Sequence, residues 1–244
     1  MKLPDQFLQK TLRQLQEMAR TQRPAIEQAA EWFADCLEQE GWIYLFGTGH
    51  SHMLAEELFY RAGGLARIAP ILCEPLMLHE SAADSSLRER DPRLAAELLA
   101  RYPIGARDLL VVVSNSGRNA APIELARLAR ARGARVIALT NRKQCARWPS
   151  RHPQGLKLPD TADLTLDNCG EEGDACVPVE RLGTAIGPTS TIVGATLLQM
   201  IVCGAVEKTL ERGGRPEVFV SSNTTGDEAN APILARYRGR IRHL

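Results

Sequence analysis

The stretch LLVVVSNSGRNAAPIELARLARARGARVIALTN, residues 109–141, contains two apolar runs with an amphipathic segment between them. The first run, Asp108–Val113, has β-forming residues and is apolar on both faces, as a covered strand of a parallel sheet must be. Ala120–Arg132 has helical spacing, and Gly133 is placed to end that helix before a second covered strand, Arg135–Thr140. The order strand, helix, strand predicts a parallel sheet with helices on both faces.

Outside this unit, three further runs have strand character. They are Trp42–Phe46, Ala66–Leu72 and Ala162–Asp167. The first of them ends in a glycine-containing turn, and the helix predicted after that turn is closed by Gly63 and Gly64. Thr189–Arg212 predicts a long buried helix, and the segment Asn168–Pro188, rich in Gly, Asp, Glu and Pro, predicts an extended loop. The sequence therefore predicts an α/β fold with a five-stranded parallel sheet flanked by helices.

The chain is predicted to form one main domain with two additions. Asp5–Glu40 has apolar residues at helical spacing with a break near Arg23 and Pro24, which predicts two helices. We assign residues 1–40 to a helical N-terminal appendage used in packing or oligomerisation. Residues 41–212 form the α/β domain, and residues 213–244 form a C-terminal tail that packs on the same domain.

The composition excludes several classes of protein. The 244 residues are 44% hydrophobic and 24% charged with a net charge of +1, so no overall field favours nucleic acid or an anionic membrane. Six cysteines occur without CxxC pairs and without a secretory signal, which favours reduced thiols and a cytoplasmic location. The most apolar run, Thr191–Val206, is interrupted by Gln199 and is shorter than the roughly 20 residues of a membrane span.

Polar residues and glycines follow two of the predicted strands. The turn Thr48-Gly49-His50-Ser51 follows the first strand, and Ser114-Asn115-Ser116-Gly117-Arg118-Asn119 follows the third. In an open parallel sheet, ligands bind at the carboxyl ends of the strands. There the start of a helix offers unpaired backbone N–H groups and the positive end of its dipole, while serine hydroxyls add further donors. The two turns together predict a phosphate-binding site.

Two other interpretations of these turns stay open. Ser114 or Asn119 has a simpler explanation as a helix N-cap, although a cap requires one residue and not six. The first turn also begins like the GxGxxG motif of dinucleotide-binding proteins, and Glu74 lies where a ribose-binding acid belongs. His52 stands where the third glycine of that motif would be, so the match is partial and we expect no cofactor.

Two stretches resemble loops of the sugar isomerase (SIS) domain family. The first loop of that family, rich in glycine and serine, is similar to GTGHSHMLAEELFYRAGG (residues 47–64). Its serine-rich phosphate loop is similar to SNSGRNAAPIELA (residues 114–126). The resemblance extends from about residue 42 to residue 210. It implies an SIS-type, flavodoxin-like three-layer sandwich that binds a sugar phosphate, as a homodimer or homotetramer with sites shared between subunits. The residues implied in phosphate or sugar binding are Thr48, Gly49, His50, Ser51, Ser114, Asn115, Ser116, Gly117 and Asn119.

Sugar isomerisation or ether elimination requires an acid or base close to the sugar. We predict Glu57, Glu80 and His79 as the catalytic candidates; for each carboxylate the alternative is a solvated surface residue. Only one of Glu56 and Glu57 can face the crevice, because adjacent residues point to different sides of a helix. In the isomerase and etherase branches an acid often lies ten residues beyond the serine of the first loop, and here that position is Arg61.

A metal site is a further interpretation of the residues after the second strand. His79, Glu80 and Asp84 are metal-ligating residue types, but their spacing is not diagnostic, and we predict no metal. His50 and His52 do not share a face of a helix, so they do not form a metal pair.

Hydroxyls at the start of the long helix form another candidate group. Family members often close the sugar site with this helix, so Ser190 and Thr191 are predicted sugar-binding residues, with helix capping as the alternative. Three interpretations of the acidic loop Asp167–Asp174 stay open: it forms a lid, it binds sugar hydroxyls, or it is solvated surface. The segment that begins at Cys73 predicts a long loop and then a helix that starts near Asp91 and Pro92, so the charged run Leu87–Arg93 predicts an exposed helix start.

Two functional hypotheses follow. The first is a cytoplasmic sugar-phosphate isomerase of the aldose–ketose type, or a related lyase. The second is a non-catalytic sensor that binds a sugar phosphate. A DNA-binding helix-turn-helix is not predicted, because the first 40 residues lack the turn glycine and the basic face of one.

Overall fold

Five parallel strands form the central sheet, in the order β2-β1-β3-β4-β5. The computed structural model describes all 244 residues. The strands are β1 (Ile43–Gly47), β2 (Ile68–Ile71), β3 (Leu109–Val113), β4 (Arg135–Thr140) and β5 (Leu164–Asp167). β1, β2 and β3 are buried at every position, as strands covered on both faces are. The predicted α/β fold with a five-stranded parallel sheet is confirmed, and the strand ends differ from the prediction by at most two residues.

Helices cover both faces of this sheet. They are α1 (Leu3–Thr21), α2 (Arg23–Glu38), α3 (Met53–Leu58), α4 (Leu78–Arg88), α5 (Leu94–Arg101), α6 (Ala120–Ala131), α7 (Arg142–Arg147), α8 (Leu158–Thr161), α9 (Ser190–Glu211) and α10 (Gly226–Tyr237). Pro24 lies in the first turn of α2, where its missing N–H has no intrahelical partner to lose. The predicted break between two N-terminal helices is therefore confirmed at Gln22.

The chain leaves the sheet in opposite directions after β1 and β3. Leu54 and Leu58 of α3 pack in the hydrophobic cluster on one face, together with residues of α2 and α9. Ala121 and Leu125 of α6 pack in the cluster on the other face, together with residues of α5. Because β1 and β3 are neighbours in the sheet, their loops begin side by side and then diverge. This is the switch point at which open α/β sheets form a ligand crevice.

The C-terminal tail contributes to the core on the α6 face. Phe219, Tyr237 and Ile241 are all buried there. The ring of Tyr237 packs edge-on against Trp42 with centroids 5.2 Å apart, and the guanidinium of Arg67 lies over both rings. The domain boundaries at residues 40 and 212 stay predictions.

Three segments differ from the sequence predictions: the region after β2, the end of α3 and the segment before α9. The region after β2, predicted as a long loop, contains a short 3-10 turn, Glu74–Leu76, and then α4, which is kinked at Ser81. Helix α3 ends at Leu58 and does not reach Gly63. Its predicted continuation fails because Phe59 is extended and packs against both cores, while Tyr60 packs edge-on against Phe219 at 5.0 Å.

The predicted loop before the long helix is a β-hairpin. Strands β6 (Ala175–Val179) and β7 (Thr184–Pro188) pair in antiparallel fashion. The turn between them ends at Gly183, whose φ of +64° lies in the left-handed region that glycine favours. Pro178 and Gly187 weaken the strand signal of these two short segments, which explains why the sequence indicated a loop.

Helix α9 is the predicted buried helix. It is long and apolar enough to cross a membrane by length and composition alone. In the fold, Val193, Leu197, Leu198 and Ile201 are fully buried in the cluster that α9 shares with α2 and the sheet. Packing in the core therefore explains the apolar residues of this face, whereas Ile192 and Leu210 are exposed.

Candidate functional site

The loop between β3 and α6 leaves hydrogen-bond donors unpaired although its acceptors are used. The carbonyl groups of Asn115, Gly117 and Arg118 each accept a hydrogen bond from a later part of the chain. By contrast, the Ser116 hydroxyl and the backbone N–H groups of Ser116, Arg118 and Asn119 have no partner within the chain. Unpaired donors at the N-terminus of a helix are an arrangement that binds phosphate.

Capping of α6 explains only part of this loop. Asn119 occupies the N-cap position, but its side chain makes no capping hydrogen bond. Its Oδ1 instead accepts a hydrogen bond from Nη1 of Arg151 at 3.1 Å. The Oγ of Ser114 accepts from the N–H of Gly117 at 3.2 Å, within the loop. The loop therefore has more polar groups than capping requires.

Gly117 sets the shape of the same loop. Its φ is +58°, in the left-handed region. A Cβ at this position would lie 2.8 Å from both Sγ of Cys145 and Oγ1 of Thr140, which is closer than real Cβ contacts. Glycine is thus required both for the backbone conformation and for the close approach of β4 and α7 residues.

The loop after β1 is a tight turn. Gly49–His52 form one 3-10 turn, and the N–H of Ser51 donates to the carbonyl of Thr48 at 3.0 Å. His52 is buried: its Nδ1 contacts the carbonyl of Gly49, and its Nε2 lies 3.5 Å from the Glu56 carboxylate. His52 therefore supports the turn from inside. His50 is exposed.

The two loops border one narrow cleft at the switch point. Four of the predicted binding residues line it together with apolar and amide side chains. The lining residues are Ser51, Leu54, Val113, Asn115, Leu139, Asn168, Ser190 and Thr191. Residues from the loops after β1 and β3 and from the start of α9 thus meet in space. No carboxylate or histidine lines this cleft.

A chain of amide hydrogen bonds fixes the orientation of Asn115. Nδ2 of Asn168, which follows β5, donates to Oδ1 of Asn115 at 2.7 Å. Oδ1 of Asn168 in turn accepts from the N–H of Gly170 at 3.0 Å. On the other side, Nδ2 of Asn115 lies 3.4 Å from Oε1 of Gln144 in α7. The wall of the cleft is therefore held by the loops of three neighbouring strands.

Asp174 holds the start of α9 against this wall. Its Oδ1 accepts hydrogen bonds from the N–H groups of Thr189 (3.1 Å) and Ser190 (2.8 Å). Its Oδ2 accepts from the hydroxyl of Ser190 at 2.6 Å. The acidic loop thus contributes a helix cap. This role differs from the three interpretations of the sequence, which were a lid, a binder of sugar hydroxyls and solvated surface. The Ser190 hydroxyl uses its proton in this cap and has only acceptor capacity left for a ligand.

The structure places the three predicted catalytic residues outside the cleft. Glu57 lies 2.5 Å from Nη1 of Arg61 and 3.3 Å from Nε2 of Gln199, and it lines a separate surface groove along α9. Glu80 and His79 lie near one another, 3.6 Å apart, on the wall of a pocket of about 440 Å³ beside the first loop.

No group of three His, Cys, Asp or Glu side chains is arranged to hold a metal ion, so His79, Glu80 and Asp84 do not form the metal site considered above.

Sequence reasoning missed Glu89. The run Leu87–Arg93 contains the end of α4 and the turn that precedes α5, which begins at Leu94, close to the predicted helix start. Oε2 of Glu89 accepts a hydrogen bond from the hydroxyl of Thr48 at 2.7 Å, and its backbone carbonyl accepts from the N–H of Ala121 at 3.0 Å. One residue thus joins the first loop to the start of α6. The role of Glu89 depends on a contact with a residue distant in sequence, so no local sequence pattern indicates it.

Comparison with known proteins identifies the family. Residues 6–141, more than half of the chain, match the SIS domain family model. The chain belongs to the SIS domain family. It is 43% identical over 236 residues to a UPF0309 protein of Listeria innocua, covering 96% of each chain. It is 41% identical over 238 residues to a UPF0309 protein of a Geobacillus species, covering 97% of this chain and 96% of the relative.

Solved structures share the fold of this SIS protein at lower identity. A phosphoheptose isomerase from Francisella tularensis aligns with a TM-score of 0.53 and 19% identity, over 85% of this chain and 100% of the other. The Vibrio vulnificus NanR protein complexed with ManNAc-6P aligns with a TM-score of 0.54 and 22% identity, over 96% of this chain and 69% of the other. At these identities the likeness concerns the fold alone.

The position of Glu89 predicts a pH-dependent stability for this SIS protein. Burial raises the pKa of the Glu89 carboxyl, against the opposing effects of the Thr48 hydrogen bond, Arg151 and Arg90. The folded state therefore holds this proton more tightly than the unfolded state. The parent is expected to lose stability relative to Glu89→Gln as pH rises from the ordinary glutamate pKa through the raised one. Above that interval the difference is constant.

Urea unfolding of both proteins at a series of pH values between about 4 and 7 measures this difference. Glu97→Gln is the matched control, because Glu97 is exposed on α5. Parallel curves for the parent and Glu89→Gln, as for the control, would show that the Glu89 carboxyl is not perturbed.

Proposed function

We propose that this SIS protein binds a sugar phosphate, with the phosphate at the start of α6 between the loops after β1 and β3. One observation carries the proposal: the Ser116 hydroxyl and three backbone N–H groups of the second loop are unpaired at a helix N-terminus. A phosphate dianion accepts hydrogen bonds from such donors and is stabilised by the helix dipole. The adjoining cleft has a volume of only about 10 Å³, so it must widen before Ser51, Asn115 and Thr191 can supply polar groups to the sugar.

The similar structures support this choice of ligand. NanR is complexed with ManNAc-6P, and the Francisella protein is a phosphoheptose isomerase. Both names refer to proteins of this fold that handle a phosphosugar. A cytoplasmic location and the absence of a cofactor stay predictions.

As an enzyme, the protein is proposed to be an aldose–ketose isomerase or a related lyase. Glu80 and His79, on the wall of the pocket beside the first loop, are the proposed acid/base candidates. Glu57 would first have to leave Arg61. We also propose a homodimer or homotetramer with shared sites, in which a second copy brings such a carboxylate to the cleft.

A non-catalytic phosphosugar sensor is the second candidate function. The observation that favours it is the absence of any carboxylate or histidine from the cleft lining. Proton transfer requires a base within hydrogen-bond reach of the sugar, whereas binding alone does not.

A panel of hexose, amino-sugar and heptose phosphates tests these functions on the parent protein. Calorimetry measures binding, and NMR of each mixture measures conversion. Binding with conversion supports the enzyme, and binding without conversion of any member supports the sensor. If no sugar phosphate binds, the proposed function is wrong.

Ser116→Ala is expected to weaken binding of the tightest member of that panel by about 1–3 kcal/mol, since the variant removes one donor to a dianion. Titration calorimetry of both proteins measures the difference. Ser222→Ala is the control, because Ser222 is exposed in the C-terminal tail. An affinity equal to that of the control would remove Ser116 from the site.

A further inference from the structure

Three arginines lie beside the start of α6 without an ion pair. The backbone N–H of Arg151 donates to the carbonyl of Arg118 at 2.8 Å, and its Nη1 donates to Asn119. The guanidinium of Arg118 reaches over the ring of Trp148, 5.9 Å from its centroid. Its Nε is buried and has no acceptor. The charge of Arg90 is close enough to both Arg151 and Glu89 to lower the pKa of each.

The charges of this cluster are not balanced within the chain. Burial lowers the pKa of Arg151, and repulsion from Arg118 and Arg90 lowers it further, while Glu89 alone opposes this. Arg151 thus lies near two other guanidinium groups and one carboxylate, and that carboxylate, Glu89, is already hydrogen-bonded to Thr48. Like charges held together next to a ligand crevice favour an incoming anion.

The phosphate proposed above does not require these arginines. The second loop already offers it a hydroxyl and backbone N–H groups. The Arg118 side chain extends from that loop to Trp148, which follows α7, so its guanidinium is available for a group beyond the phosphate. A guanidinium binds a carboxylate or phosphate through two parallel N–H donors.

We propose that Arg118 and Arg151 bind a second anionic group, so that this site takes sugar phosphates that also carry a carboxylate or a second phosphate. The inference rests on the proposed function, because the first phosphate is taken to occupy the loop at the start of α6. It narrows the ligand to sugar derivatives with two separate anionic groups.

Two matched pairs of ligands test the inference by titration calorimetry of the parent protein. One pair is 6-phosphogluconate and glucitol 6-phosphate, which differ by one carboxylate. The other is fructose 1,6-bisphosphate and fructose 6-phosphate, which differ by one phosphate. In at least one pair the doubly anionic member is expected to bind about 10- to 100-fold more tightly, and which pair does so identifies the second group.

Arg118→Gln and Arg151→Gln are expected to reduce this preference to less than about 3-fold and to leave the affinity for the singly phosphorylated member nearly unchanged. Arg142→Gln is the matched control, because Arg142 begins α7 at the same edge of the sheet without an ion pair, and it should keep the preference. Thermal unfolding verifies that each variant is folded. Arg118→Lys, which keeps the charge but loses the paired donors, should give an intermediate preference.

Each other outcome is decisive. If the parent binds both members of each pair equally, the second anionic subsite is wrong and the proposed function stands. If the glutamine variants weaken both members equally, the arginines contact the first phosphate and the inference is again wrong. If the parent binds none of the four ligands but binds a singly phosphorylated member of the panel above, the inference is wrong and the proposed function stands; if it binds no sugar phosphate at all, both fail.

Discussion

Gly117→Ala is expected to weaken sugar-phosphate binding at least about 100-fold and to lower the free energy of unfolding by about 2–4 kcal/mol. The new Cβ would lie 2.8 Å from Cys145 Sγ and from Thr140 Oγ1, both held by buried residues. The loop must therefore move, at a cost typical of overpacking together with left-handed backbone strain. Since the free N–H groups on either side of Gly117 move with it, two or more hydrogen bonds to the phosphate are lost.

Gly155→Ala separates the two causes of this effect. Gly155 also has a left-handed φ, +72°, but a Cβ there meets nothing within 4 Å. This control should lose only about 1 kcal/mol of stability, from backbone strain alone, and should bind normally. Calorimetry and urea unfolding measure both variants. Equal binding by Gly117→Ala and Gly155→Ala would mean that the second loop does not hold the ligand.

Asp174→Ala is expected to lower the free energy of unfolding by about 2 kcal/mol and the melting temperature by roughly 4–8 °C. The carboxylate accepts three hydrogen bonds at the start of α9, two from backbone N–H groups and one from Ser190. These bonds are charge-assisted and lie at the positive end of the helix dipole. Their loss also frees Ser190, so binding of the sugar should weaken.

Asp174→Gly tests whether capping is the cause. Asp174 has a φ of +70°, so alanine adds strain there, whereas glycine relieves it. If the cap matters, both variants are destabilised in thermal unfolding; a more stable Asp174→Gly would contradict the capping role. Asp227→Ala, in the exposed first turn of α10, is the control for loss of a carboxylate near a helix N-terminus without loss of a capping hydrogen bond.

The sequence predicts those parts of the fold that depend on local patterns. The strands at 109–113 and 135–140 are apolar on both faces because helices cover both sides, and this pattern is visible without a structure. The glycines and hydroxyls after β1 and β3 are similarly visible, and the parallel sheet brings them to one edge. The position of the candidate phosphate loops follows from these two features.

The parts that could not be predicted depend on contacts between distant segments. Glu56 and Glu57 are adjacent on one helix, and only the burial of Leu54 and Leu58 against the core decides which way each carboxylate points. Glu89 lies in a charged run that is typical of surface, and its burial follows from the approach of Thr48. The hairpin before α9 was missed because its short strands contain proline and glycine.

A crystal structure of the protein soaked in a sugar 6-phosphate shows whether the loops after β1 and β3 hold one phosphate together at the start of α6. The predicted result is phosphate density within hydrogen-bond distance of the Ser116 hydroxyl and of a backbone N–H of the second loop, with the sugar reaching toward Ser51. Density for the phosphate at any other place on the molecule, with the second loop empty, would mean that these loops do not form the phosphate site.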